Sequence, residues 1–213
     1  MEAEVVQAVA QYVEDVLGKE GFRYISAVVA NCKMLALELE GQEEGGEDTI
    51  NLDMEALVIA AYLHDISTVA HGFPDHHLKS AEMAEEFLRE LDVSDRHISK
   101  VKQAIFMHTT SVAPELREAL PLEARILYDA DKLGRLSGLA VVTSLIEFGA
   151  RYPNRAVTGD VLSAMLRHIE ERFVELYQSL NTTPAREMAR EKFGKTLAFL
   201  DGVIEHLSDA TPV

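Results

Sequence analysis

His64 and Asp65 stand side by side at the end of the apolar run Val58 to Leu63, in "VIAAYLHDI". Four of the eight histidines of the chain, His64, His71, His76 and His77, fall within residues 64–77. Imidazole nitrogen and carboxylate oxygen are the ligand types that suit zinc, manganese or iron. A carboxylate at the end of a buried helix is costly unless it is paired, and a divalent cation offsets that cost. Further ligand types interrupt two more apolar segments: His108 after "VKQAIFM", and Asp129 and Asp131 within "EARILYDADKLG", of which Asp131 is the stronger candidate. Taken singly, each reads equally well as a capping or hydrogen-bonded core residue. Three apolar segments each broken by His or Asp form a pattern that a core does not need.

Competing chemistries lack their residues. No His has a Glu three positions before it, so the Glu-x-x-His pairs of di-iron carboxylate bundles are missing, as is H-E-x-x-H. "FGKTL" at 193–197 carries Gly-Lys-Thr, but Ala189 stands where a phosphate-binding loop needs Gly, so the stretch reads as ordinary helix. There is no G-x-S-x-G. The single cysteine, Cys32, excludes an intramolecular disulfide and a Cys-rich zinc site.

The 213 residues are 47% hydrophobic, enough to bury a full core. A formal net charge of −16 repels a nucleic acid polymer. Small anionic substrates remain open, because a metal and a few local Lys or Arg reverse the sign inside a pocket. No apolar run approaches a membrane span, so no membrane partner is expected. The acidic, amphipathic "MEAEVVQAVAQYVEDVL" lacks a basic leader and only one cysteine is present, so the expected location is cytoplasmic. On that expectation the Asn181-Thr182-Thr183 sequon is without consequence.

Adjacent residues on a helix point about 100° apart. His64 and Asp65 therefore reach one ion only where their helix ends or bends. The elements that must arrange this are helical: Val5, Val6, Val13 and Leu17, then Ile25, Val28, Val29 and Leu35, recur on helical faces, and nothing alternates with period two. The expected class is all-α, a bundle of roughly seven to nine helices. Residues 1–213 read as a single domain, with a core at about 20–140 and C-terminal helices at 141–207 packed on it. Loops are expected at 40–53, 70–75, 92–94, 111–114, 120–122, 152–159 and 181–184. Asp53 is the candidate N-cap of the "MEALVIAAYLHDI" helix, and Thr182 or Thr183 caps the last one.

"AAYLHDI", "HHLKSAEMAEEFL", "AIFMHTT" and "ARILYDADKLGRLSGLAV" resemble, in order and spacing, the successive motifs of the HD-domain superfamily of metal-dependent phosphohydrolases. "FVELYQSLNTTPAREMAREKFGKTLAFLDGVIEHL" is similar to the C-terminal helices of small bacterial HD hydrolases, some of which cleave nucleoside triphosphates. The resemblance covers about residues 20–207. It implies an HD-like bundle that binds a divalent metal (Mn, Fe, Ni, Zn or Mg) through His64, Asp65 and Asp131. His76 and His108 match the two intermediate histidines of two-metal members, with His77 as the fallback for His76. Asp65 is the implied catalytic general base, and a small phosphorylated metabolite or nucleotide the implied substrate. Tyr24, His77, Lys79, Lys132 and Arg135 are the candidates for contacting it. A homodimer is the expected assembly.

The first motif departs from the family. Tyr24 stands where the family has an early metal-binding His, and Ala27 where it has Arg. Thr68 and Gly134 replace a Lys and an Asp found in many relatives. Two further readings stay open beside hydrolysis: a degenerate HD domain that binds a ligand or partner without chemistry, and a di-iron oxygenase.

Overall fold

"MEALVIAAYL" has no polar face. As a helix it is stable only in the middle of a bundle, and that is where it lies: Ala56, Leu57, Ile59, Ala60, Ala61 and Leu63 are all fully buried. In the computed structural model, which describes residues 2–42, 52–72, 74–109, 119–136, 138–154, 156 and 158–209, this segment is α2 (Met54–Leu63). The other helices are α1 (Glu2–Gln42), α3 (Thr68–His71), α4 (His76–Glu90), α5 (Asp95–Met107), α6 (Leu122–Arg135), α7 (Gly138–Arg151), α8 (Gly159–Ser179) and α9 (Thr183–Asp209). The fold is all-α, with nine helices and no strand among the described residues.

The chain forms two compact units, Met1–Asp131 and Lys132–Val213. In the first, α2 packs against α1 and α5, and α4 packs against α5. Burial of Leu57, Ile59 and Leu63 contributes roughly 1.5–3 kcal/mol apiece. Helix α1 is kinked at Gly18, whose φ of 69° and ψ of 175° suit a residue without Cβ. Its later half presents Ile25, Val28, Val29, Cys32, Leu35 and Ala36 to the core. Tyr12 on α1 stacks on Phe87 of α4 at 4.0 Å. In the second unit, α8 and α9 form a hairpin. Thr182 Oγ1 accepts from the Ala185 amide at 3.4 Å, Arg186 Nε donates to the Leu180 carbonyl at 3.1 Å, and Tyr177 stacks on Phe193 at 4.7 Å. The cap is thus Thr182, and "FGKTL" is interior helix of α9.

Two expected loops shift. Helix α1 runs on through Gly41 to Gln42, so only the later part of 40–53 departs from helix among the described residues; 43–51 lie outside them, as do 111–114. Ala70 and His71 belong to the short helix α3, and the break begins at Gly72, whose φ of 69° ends that turn. Local side-chain bonds explain why the chain stays wound there: Thr68 Oγ1 donates to the Asp65 carbonyl at 2.7 Å, and the Thr68 amide reaches the same oxygen at 3.0 Å.

The entry to α2 is fixed electrostatically. Asp53 Oδ1 accepts from the Ala56 amide at 3.0 Å, Asp53 Oδ2 accepts from Lys100 Nζ of α5 at 2.7 Å, and the Asp53 amide donates to Glu123 Oε1 of α6 at 2.8 Å. Burial raises the Asp53 pKa, but Lys100, the Ala56 amide and His97 outweigh it, so the carboxyl titrates below its ordinary value. A depressed folded-state pKa contributes stability that is complete above the unfolded pKa and is lost as pH falls through the folded one. Asp53→Ala should therefore cost about 1–2 kcal/mol at neutral pH, read as a lower urea midpoint, and the gap from the parent chain should narrow below about pH 4.

Candidate metal centre

The site lies where two helices of the first unit stop. Helix α2 ends at Leu63 with His64 as its C-cap, and α5 ends at Met107 with His108 as its C-cap. A helix end leaves its last carbonyls without intrahelical partners. His64 Nδ1 bonds the Ala61 carbonyl at 2.9 Å, and His108 Nδ1 bonds the Ile105 carbonyl. A carbonyl only accepts, so Nδ1 carries the proton in both rings and Nε2 keeps its lone pair for a cation. Both rings are buried, and they meet edge to face at 5.1 Å between centroids.

Asp65 follows α2 in a run of tight turns, with the Ile66 amide bonded to the Leu63 carbonyl at 3.2 Å and the Thr68 amide to the Asp65 carbonyl at 3.0 Å. This meets the requirement that the helix end at the doublet. His64, Asp65 and His108, all buried, offer one ligand atom each within 4.8 Å of one another, the one such group among the described residues. His64 Nε2 lies 3.5 Å from Asp65 Oδ2, and His76 Nε2 lies 3.5 Å from Asp65 Oδ1. Both separations exceed ordinary hydrogen bonds. His64 Nε2 and Asp65 Oδ1 are buried and make no hydrogen bond. Leaving such atoms unsatisfied costs roughly 1–3 kcal/mol each. A divalent cation satisfies an imidazole lone pair and a carboxylate oxygen together, so the donor set fits one.

The remaining candidates take distinct places. His76 opens α4 beside Asp65, its ring 5.6 Å from His108. It is held there by Ser67 Oγ, which donates to the His76 carbonyl at 3.1 Å and accepts from Ser80 Oγ at 3.0 Å. The His77 ring lies 5.7 Å from that of His76 and 5.8 Å from that of Phe106 of α5. Burial and the neighbouring His76 lower its pKa against the opposing pull of Asp75. Lys79 lies partly exposed on α4. Asp131, 1% exposed on α6, is not one of the three converging residues. Its Oδ1 accepts from the Tyr24 hydroxyl at 2.7 Å, and the preceding Ala130 carbonyl accepts from Asn31 Nδ2 at 3.2 Å. Burial, then Asp131 and Asp129, push the Cys32 thiol well up from its ordinary value. Lys132, buried, and Arg135, exposed, lie in the second unit.

Sequence reasoning did not single out Asn31, Phe106, Ser67 or Ser80. Only the spacing between Tyr24, Val28 and Asn31, which places them on one helix face, signals the α1 contribution.

Residues 25–136 match the sequence profile of the HD domain. The chain belongs to the HD-domain family. The chain also has the fold of solved HD-superfamily hydrolases. An HD-superfamily hydrolase from Bacillus thuringiensis superposes with a TM-score of 0.69 at 19% identity, over 99% of this chain and 100% of that one. The Lin1889 protein from Listeria innocua gives 0.69 at 16% identity, over 98% of each chain. YpgQ from Bacillus subtilis in complex with ADP gives 0.66 at 22% identity, over 99% of this HD-domain chain and 97% of its own. No curated protein matches the sequence.

Plasma mass spectrometry of protein purified without chelator should find a divalent metal near one equivalent or more per chain. His64→Ala and His108→Ala should each lose it with the helical circular dichroism retained. Equal metal in parent and both variants would refute the site.

Proposed function

We propose that the chain is a metal-dependent phosphohydrolase that cleaves a small phosphorylated metabolite or nucleotide. One observation carries this reading: two buried imidazoles, their Nδ1 protons committed to backbone carbonyls, converge with Asp65. His64, Asp65 and His108 would hold the ion, with Asp131 and His76 as further ligands. A bound divalent ion lowers the pKa of water and polarises a phosphoryl oxygen.

The chain's own residues then have separable tasks. Asp65 accepts a proton from the attacking water as the water oxygen bonds to phosphorus and the bond from phosphorus to the leaving oxygen breaks. His76 Nε2, 3.5 Å from Asp65 Oδ1, is the nitrogen that would join the ion beside that carboxylate. Burial of His64 and His108 excludes water from the inner side, which strengthens every charge interaction there. Lys79, Lys132 and Arg135 are candidates for phosphate charge, and His77 with Tyr24 for the rest of the substrate. The ADP in the Bacillus subtilis relative supports a nucleotide as the first class to try.

A second reading, a non-catalytic HD module that binds a ligand or partner, is favoured by Tyr24 in the first-motif position. Release of phosphate or pyrophosphate from nucleoside phosphates and phosphate monoesters, with divalent metal added, separates the two. Hydrolysis should appear with at least one substrate and fall about 10²–10⁴-fold in Asp65→Asn, while that variant keeps its unfolding midpoint within a few degrees. Turnover undiminished in Asp65→Asn would sink the assignment, and metal-loaded protein inert on the whole panel would favour the binding module.

A further inference from the structure

We infer that Tyr24 is a positioning residue for the metal centre, acting through Asp131 and not as a ligand. This rests on the metal-site reading above. The Tyr24 hydroxyl and Asp131 Oδ1 are 2.7 Å apart across 107 residues of sequence, joining the middle of α1 to α6. That length is typical of a charge-assisted bond from a neutral hydroxyl to a carboxylate. A hydroxyl whose hydrogen is committed to a carboxylate oxygen is a poor ligand for a divalent cation. What Tyr24 supplies instead is direction, because it fixes the rotation of a carboxylate that is itself 1% exposed.

The surroundings of Asp131 sharpen the assignment. Helix α1 also contributes Asn31, whose Nδ2 donates to the Ala130 carbonyl at 3.2 Å. The two bonds, one to the Asp131 side chain and one to the backbone beside it, tie this turn of α6 to α1. The phenol at position 24 tethers the carboxylate from its solvent-facing side of α1. The centre is thereby made more dependent on Asp131 being held in one orientation. Tyr24 is 40% exposed, so removing its hydroxyl leaves the packing of the buried α1 face intact.

The test is cobalt(II) binding to the full chain, titrated against a competing chelator and followed by visible d–d absorption, for the parent, Tyr24→Phe and Asp131→Asn. Tyr24→Phe should weaken cobalt binding about 10–100-fold, the effect of removing an outer-shell partner, and should shift the absorption band in the direction seen with Asp131→Asn. Parent-like affinity with a parent-like band in Tyr24→Phe would overturn the inference. A parent chain that takes up no cobalt would overturn the metal reading itself. In that case the unfolding midpoints of metal-free Tyr24→Phe, Asp131→Asn and the double variant still judge the pair. Non-additive shifts would retain the tether as a structural bond with no metal role, and additive shifts would remove it altogether.

Discussion

A helix that stops inside an apolar core must find partners for its final carbonyls, and no water is there to supply them. Helix α2 meets this demand with the ring of the residue that follows it. His64 donates Nδ1–H to Ala61, and in doing so turns Nε2 toward Asp65. Helix α5 repeats the solution with His108 and Ile105. One hydrogen bond per helix thus closes the helix and selects the tautomer. The other features of the site follow from these two terminations. The chain leaves α2 in tight turns after Leu63, and α4 begins close by, where Ser80 Oγ bonds both the Ser67 hydroxyl and the Ser67 amide.

The electrostatic design of the first unit is uneven in a useful way. The N-terminal end of α2 is held by bonded charge: Asp53 accepts from Lys100 and the Ala56 amide, and Glu123 accepts from the Asp53 amide. The C-terminal end holds a buried carboxylate, Asp65, between the imidazoles of His64 and His76. The same helix is stabilised at one end by its own side chains and, on the metal-centre reading, at the other by a cation drawn from solution. Folding and metal uptake are then thermodynamically linked, since a cation bound by the native chain alone adds to its stability.

Much of this was legible in the sequence because it was written in local pattern. The unrelieved apolar stretch 56–63 demanded a central helix, and a His-Asp doublet at its end demanded that the helix stop there. Asp53 and Thr182 announced their caps by residue type. Gly72 marked a true break, but the turn before it was hidden, since Thr68 keeps Ala70 and His71 wound through a side-chain bond that composition does not display. Gly41 misled in the opposite sense: three glycines among acids read as loop, yet the helix carries through the first of them. Long-range partnerships were least accessible. Tyr24 was visible as a departure from a family motif, but that its hydroxyl meets Asp131 depends on the rotation of α1 about its axis, which no local spacing fixes.

The acceptors that orient His64 and His108 are main-chain oxygens. In many metal proteins the atom that aligns a ligand histidine belongs to a second side chain, and one nucleotide change can delete it. Here the aligning atoms survive any substitution at positions 61 and 105 that preserves the backbone. Substitutions at positions 61 and 105 can therefore change the packing around His64 and His108 without removing the atom that aligns either ring.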